Sequence, residues 1–243
     1  MRNTLLSTSG IQPTKVWFNF YRVKNYVLQI DNAIFMKSII ETALKNSMSF
    51  EEYMTLMSAL TLEGKTTGPK QTEDLAHYTK LNNQRMKRLI KTSKAPQEII
   101  EVFDKLNNTQ TWLIILESWC GDAAQVVPLI QKVADESELI ETRFVLRDEN
   151  PELMDRFLTR GGRSIPKLII LDSSNNVLGS WGPRPIEAQE LYDTWHNSEV
   201  KVPYQIFSET LQKWYTEDRG ESTFKELVEL VNDIVENGEV AVV

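Results

Sequence analysis

The outer parts of the chain show helical periodicity. Over residues 35–106, apolar positions recur every three or four residues, which predicts a series of helices. The stretch "SFEE" at 49–52 is typical of a capping box at a helix start. The same period returns over residues 203–236, where "TFKE" at 223–226 predicts a second capping box.

The middle of the chain has a different pattern. Short apolar runs rich in β-forming residues predict four strands: "TWLIIL" (111–116), "TRFVLR" (142–147), "KLIILD" (167–172) and "VLGSW" (177–181). A helix is expected after each of the first two strands, and a third over 186–197. The second helix is predicted to be capped by Asn150, to begin at Pro151 and to end at the Gly161–Gly162 pair. The order β-α-β-α-β-β-α predicts an α/β fold, with a mixed sheet flanked by helices.

These patterns predict four regions. They are an N-terminal extension (1–35), a helical N-terminal region (36–104), an α/β core (105–197) and a C-terminal helical extension (198–243). The first region holds four basic residues and one acidic residue, a net charge of +3; since the whole chain carries −7, the rest carries −10. Two interpretations of residues 1–35 stay open, a flexible or short-stranded extension and an addition upstream of a natural start at Met36.

Composition excludes several classes of protein. The acidic net charge of −7 argues against nucleic acid as a partner, and no apolar run is long enough to predict a membrane helix. One cysteine cannot form an internal disulfide, and two distant histidines make no zinc-binding pattern. We therefore expect a cytoplasmic protein without metal or cofactor. The "GKTT" at 64–67 lacks a phosphate loop's first glycine, because Ala59 stands there.

The single cysteine, Cys120, falls between the first predicted strand and the following helix. Ligand sites of open α/β sheets lie at the carboxyl ends of strands. Unpaired backbone N–H groups at a helix start favour a thiolate, whereas the Asp122 carboxylate disfavours one. The direction of the resulting pKa shift stays open at this point.

The residues around Cys120 resemble the thioredoxin family. "WCGDA" at 119–123 resembles that family's Trp-Cys-Gly-Pro-Cys, and Pro128 matches its helix-kinking proline. "SIPKLIILD" at 164–172 is similar to the segment with the family's cis-proline, and "SSNNVLGSWG" resembles the hairpin after it. The resemblance covers about residues 105–197 and implies a thioredoxin-like fold with added helices at both ends.

The resemblance also implies roles for individual residues. Cys120 matches the attacking thiol, and Pro166 matches the cis-proline, with the backbone of Ile165 facing the thiol and pairing with a bound peptide. The implied site around the thiol consists of Trp119, Gly121, Asp122, Ala123, Ile165 and Pro166.

Three departures from the family pattern concern the chemistry. Ala123 stands where the resolving cysteine should be, Asp122 replaces the intervening proline, and Ile114 occupies the place of a buried aspartate. A dithiol cycle cannot run within one such chain. Two hypotheses follow. The protein is a monothiol oxidoreductase that needs an external protein or low-molecular-weight thiol, or a redox-inactive thioredoxin-fold interaction module.

Overall fold

The computed structural model describes residues 33–238. Residues from 40 onward belong to one compact unit, and the helical residues 33–39 belong to the unit before it. Nearly all of the extension predicted at 1–35 therefore lies outside the described residues, and both interpretations of it stay predictions.

A four-stranded mixed sheet forms the centre of the larger unit. Its strands are β1 (Gln110–Leu116), β2 (Ile140–Leu146), β3 (Lys167–Asp172) and β4 (Val177–Trp181). They lie in the order β2-β1-β3-β4, with β1 parallel to β2 and the other neighbours antiparallel. The mixed sheet predicted from the strand order is confirmed.

Helices precede, separate and follow these strands within residues 33–238. They are α1 (33–45), α2 (Phe50–Glu63), α3 (Glu73–Thr92), α4 (Gln97–Phe103), α5 (Gly121–Ala134), α6 (Pro151–Met154), α7 (Ile186–Asn197), α8 (Tyr204–Asp218) and α9 (Glu221–Asn237). The prediction of added helices at both ends of the α/β core is confirmed.

The core is built around β1. Every residue from Trp112 to Leu116 is fully buried, as expected of a continuous apolar strand covered on both faces. Helix α9 packs against β4 and α5. Gly179 of β4 permits this approach, because a Cβ there would lie 3.2 Å from carbons of both Leu230 and Ile234.

Strand register brings two loops together. Ile115 near the end of β1 pairs with Lys167 at the start of β3. Because these strands are antiparallel, the residues after β1 and those before β3 meet at one edge of the sheet. Cys120 follows β1 and Pro166 precedes β3, so both lie at this edge.

One of the two predicted capping boxes is present. Ser49 Oγ accepts from the Glu52 N–H at 3.2 Å, and the Glu52 carboxylate accepts from the Ser49 N–H at 2.7 Å. The box predicted at 223–226 is wrong, because α9 begins at Glu221 and Thr223 is buried within it. Arg219 and Gly220 both have positive φ and turn the chain so that the helix starts earlier.

Helix α6 is shorter than predicted. It ends at Met154, and Thr159 and Gly162 then exchange backbone hydrogen bonds of 2.9 and 3.0 Å. Arg160 and Gly161 between them have positive φ and form a turn that a helix cannot include.

No helix within residues 33–238 combines the length and the apolarity needed to cross a membrane.

Candidate active-site corner

Cys120 is the N-cap residue of α5. Its Sγ accepts from the Ala123 N–H at 3.4 Å and donates to the Ile165 carbonyl oxygen at 3.2 Å. The peptide bond between Ile165 and Pro166 is cis. The structure thus brings Cys120 and Ala123 together with Ile165 and Pro166, although the rest of α5, β2 and α6 separate the two pairs in sequence. We call residues 117–123 with 165–166 the Cys120 corner.

The thiol itself is buried. Cys120 is 7% exposed, and burial raises its pKa to about 12, with a further contribution from the Asp122 carboxylate. The Ala123 N–H and the Arg184 guanidinium lower the pKa, but by less. The pKa direction that the sequence left open is therefore upward. In this arrangement the thiol is protonated at neutral pH, in agreement with its role as a donor to Ile165.

Asp122 is the centre of a buried polar junction. Its carboxylate forms an ion pair with Arg184 at 2.7 Å, both side chains being about nine-tenths buried. The Tyr215 hydroxyl of α8 donates to the same carboxylate at 2.9 Å. The Arg184 guanidinium also lies over the Tyr192 ring, 4.5 Å from its centroid. Asp122 is therefore fully engaged in contacts with distant parts of the chain.

The other predicted site residues lie around the thiol. Trp119 is half-buried, with the Arg147 guanidinium 4.9 Å from its ring centroid. A Cβ on Gly121 would lie 3.4 Å from Gln212 Nε2 and 3.9 Å from a guanidinium nitrogen of Arg85, so side chains of α8 and α3 flank this glycine. Ala123 is 1% exposed, and no second thiol lies near Cys120 because the chain has only one.

A buried hydroxyl network precedes the thiol, and sequence analysis missed it. Ser118 Oγ lies 3.1 Å from Thr66 Oγ1 and 2.9 Å from Thr79 Oγ1, and it accepts from the Thr67 N–H at 3.0 Å. The Asn82 side chain donates to the Ser118 carbonyl oxygen at 3.0 Å. The loop that carries "GKTT" is therefore held against the residues that directly follow β1 by its own hydroxyl groups.

Glu117 completes this network. It is fully buried, accepts from the Thr67 hydroxyl and accepts from the Asp148 N–H at 2.9 Å. Burial raises the pKa of its carboxyl group, and the two hydrogen bonds partly oppose this. The available sequence signal was a Glu-Ser pair directly after an apolar strand, where polar side chains need buried partners.

Lys167 lies next to Pro166 and is 1% exposed. Its amine donates to the Gly182 carbonyl oxygen at 3.0 Å, and burial lowers its pKa to about 8. Gly182 has φ of 104°, and a Cβ there would lie 2.5 Å from the Pro166 carbonyl oxygen, so only glycine fits. This close approach places the following residues, including Arg184, beside the Cys120 corner.

The described part of the chain holds no cluster of three or more His, Cys, Asp or Glu side chains arranged for a metal ion.

A family model and several solved structures are similar to this chain. A family model described as thioredoxin matches residues 68–196. A search of curated proteins finds no match. A crystal structure of a protein of unknown function from Pseudomonas aeruginosa is 15% identical, with a TM-score of 0.48, and the alignment covers 62% of this chain and 84% of that one.

A second similar structure is the NTD_N/C domain of the alkylhydroperoxide reductase AhpF from Enterococcus faecalis. It is 19% identical, with a TM-score of 0.33, and the alignment covers 44% of this chain and 53% of that one. Since the thioredoxin model matches more than half of the chain, this chain belongs to the thioredoxin family.

Proposed function

We propose that the protein performs thiol-disulfide exchange through Cys120, as a monothiol member of its family. One observation carries the proposal. The thiol lies at the start of α5, with its sulfur 3.2 Å from the Ile165 carbonyl oxygen and beside Pro166. Pro166 has no backbone N–H group. An extended segment of a partner can therefore lie beside it without leaving an N–H donor of this residue unpaired.

The reaction needs an external thiol. The Cys120 thiolate attacks one sulfur of a disulfide, a mixed disulfide forms, and the other sulfur leaves as a thiolate that takes up a proton. A second, external thiolate then attacks the mixed disulfide and releases Cys120. Ala123 cannot perform this second step, because it carries no thiol. Suitable partners are a protein disulfide or a low-molecular-weight thiol and its disulfide.

A specific observation favours a second candidate function. Cys120 is 7% exposed and its pKa is raised to about 12, mainly by burial, so very little thiolate exists at neutral pH in this arrangement. A redox-inactive thioredoxin-fold module that binds protein partners would need no thiolate. Under that hypothesis Cys120 is a small buried side chain that fills the corner.

Mixed-disulfide formation distinguishes the two functions. Purified protein and a Cys120→Ser control would be incubated with oxidised glutathione at pH 7 and pH 9, and intact mass would be measured over time. We expect an adduct on the wild type alone, formed faster at pH 9 and removed by dithiothreitol. An unmodified wild-type protein at both pH values would contradict exchange and leave the interaction module as the better proposal.

A further inference from the structure

Helix α8 holds the first turns of α5 through polar side chains. The Tyr215 hydroxyl donates to Asp122 Oδ1 at 2.9 Å, and Gln125 Nε2 donates to Gln212 Oε1 at 2.7 Å. The Gln212 amide also lies against Gly121, the residue after the thiol. These contacts place α8 against the turn that Cys120 begins.

Side chains of α8 lie against the residues that follow the thiol. Tyr215 contacts Asp122, two residues after Cys120, and Gln212 lies against Gly121, the residue directly after it. Tyr215 and Cys120 are both buried, at 6% and 7% exposure.

Helices α7 and α8 are packed on each other and only lightly on the rest of the protein. Trp195 of α7 stacks on Phe207 of α8 with ring centroids 4.7 Å apart. Ala188 is the one buried residue of α7, and α8 buries Phe207, Leu211 and Tyr215. We call residues 186–218 the α7–α8 hairpin. Elements with few buried apolar residues open locally more readily than core elements.

The start of α8 and the loop before it expose apolar side chains. Val200 is 87% exposed, Tyr204 59% and Ile206 52%. These side chains contribute little to holding the hairpin closed. The hairpin is held to α5 at the other half of α8, where Gln212 and Tyr215 make their hydrogen bonds.

We propose that α8 is an autoinhibitory cover for Cys120, attached to α5 through Tyr215–Asp122 and Gln212–Gln125 and displaced when the thiol reacts. The regulatory role of this cover rests on the proposed thiol-disulfide exchange. The contacts that form the cover do not depend on that proposal. The Asp122–Arg184 ion pair involves no residue of α8, because Arg184 lies before α7. Opening therefore breaks hydrogen bonds without leaving the Asp122 carboxylate unpaired.

Alkylation of Cys120 by iodoacetamide at one fixed pH tests the cover directly. The test variant combines Gln212→Ala with Tyr215→Phe, and the matched control is Gln205→Ala, an exposed glutamine on the same helix. We expect the alkylation rate constant to rise roughly tenfold in the test variant, as loss of two hydrogen bonds favours the open form. The control should react at the wild-type rate.

Hydrogen exchange of the same proteins separates opening from general loss of stability. We expect faster exchange in residues 204–218 of the test variant and unchanged exchange in α9 and β1. An unchanged alkylation rate overturns the proposal. A raised rate accompanied by faster exchange throughout the sheet also overturns it, since α8 would then be ordinary core packing. Failure of thiol exchange itself would appear separately, as absence of a mixed disulfide with oxidised glutathione.

Discussion

Helices α5 and α8 meet at the first turn of α5, yet they are held in place by different interactions. Eleven of the fourteen residues of α5 are buried, and most of them are apolar. Helix α8 buries three of its fifteen residues and reaches α5 through a tyrosine and a glutamine. The helix that begins at the thiol is thus a core element, whereas the helix above it is attached by polar groups.

This difference separates two requirements of the Cys120 corner. The apolar packing of α5 keeps Cys120 Sγ 3.2 Å from the Ile165 carbonyl oxygen, independently of contacts at the surface. Under the proposed cover, the polar attachment of α8 governs how much water reaches the sulfur. Hydrogen bonds between buried groups are individually worth about 1 kcal/mol, less than the burial of one large apolar side chain in α5 contributes.

The largest expected effect is at the junction between the two helices. Asp122→Ala leaves Arg184 buried without its ion-pair partner, and we expect a loss of about 3–5 kcal/mol in the free energy of unfolding. The matched control is Asp155→Ala, which removes the half-exposed pair with Arg163 and should cost about 0–1 kcal/mol. Urea denaturation followed by circular dichroism measures both. Equal losses would show that the junction is not a buried pair in solution.

A pair of isoleucine substitutions tests the packing contrast. Ile130 of α5 is fully buried and Ile206 of α8 is 52% exposed. We expect Ile130→Ala to lower the free energy of unfolding by about 2–5 kcal/mol, and Ile206→Ala to change it by less than about 0.5 kcal/mol. If Ile206→Ala proved as costly as Ile130→Ala, α8 would be part of the core and the contrast would be wrong.

Alkaline pH should lower the free energy of unfolding because of the buried Cys120 thiol. Burial raises the pKa of the native thiol to about 12, from an ordinary value of 9.0. Between these values the unfolded chain releases a proton that the native protein keeps, so stability falls as pH rises above 9. Relative to Cys120→Ala, wild type should lose roughly 1.4 kcal/mol per pH unit there.

The two proteins would be compared by urea denaturation at pH 8, 9 and 10. This comparison also cancels the opposite contribution of Lys167 to the pH dependence of stability, because both proteins contain Lys167. Burial lowers the pKa of its amine to about 8, so that group makes both proteins relatively more stable as pH rises above 8. A stability difference between wild type and Cys120→Ala that does not change with pH would mean that the thiol is not buried in solution.

The smallest expected effect on stability is that of Ala123→Cys, which restores the second thiol of the family motif. Ala123 is 1% exposed, and its N–H already contacts Cys120 Sγ at 3.4 Å. We expect a disulfide under mild oxidant, with a change of less than about 1.5 kcal/mol in unfolding free energy. A count of free thiols before and after oxidation measures whether the disulfide forms. Two remaining free thiols would mean that the first turn of α5 lacks the geometry of a two-cysteine site.

Much of the fold was predictable because its signals are local. The predicted ranges of β3, β4 and α7 match the observed bounds, and those of β1 and β2 differ by one or two residues. Runs of apolar β-forming residues and helical periodicity depend on near neighbours in sequence, so they can be recognised without a tertiary structure. The second predicted capping box, at 223–226, is wrong because local sequence did not show where α9 begins. Positive φ at Arg219 and Gly220 moved the start of that helix to Glu221.

The sequence by itself determined the succession of strands and helices that builds the mixed sheet and the absence of a second thiol, and the family resemblance implied that the Ile165–Pro166 segment faces Cys120. Only the tertiary structure decided the environment of that thiol. Tyr215 lies 93 residues from Asp122, and Thr67 lies 51 residues from Ser118, yet both pairs are in buried contact. Burial raises the pKa of Cys120 against the effect of the helix start, and burial depends on which distant elements cover a group. No pattern near Cys120 carries that information, because α3, Arg184 and α8 come from three separate parts of the chain.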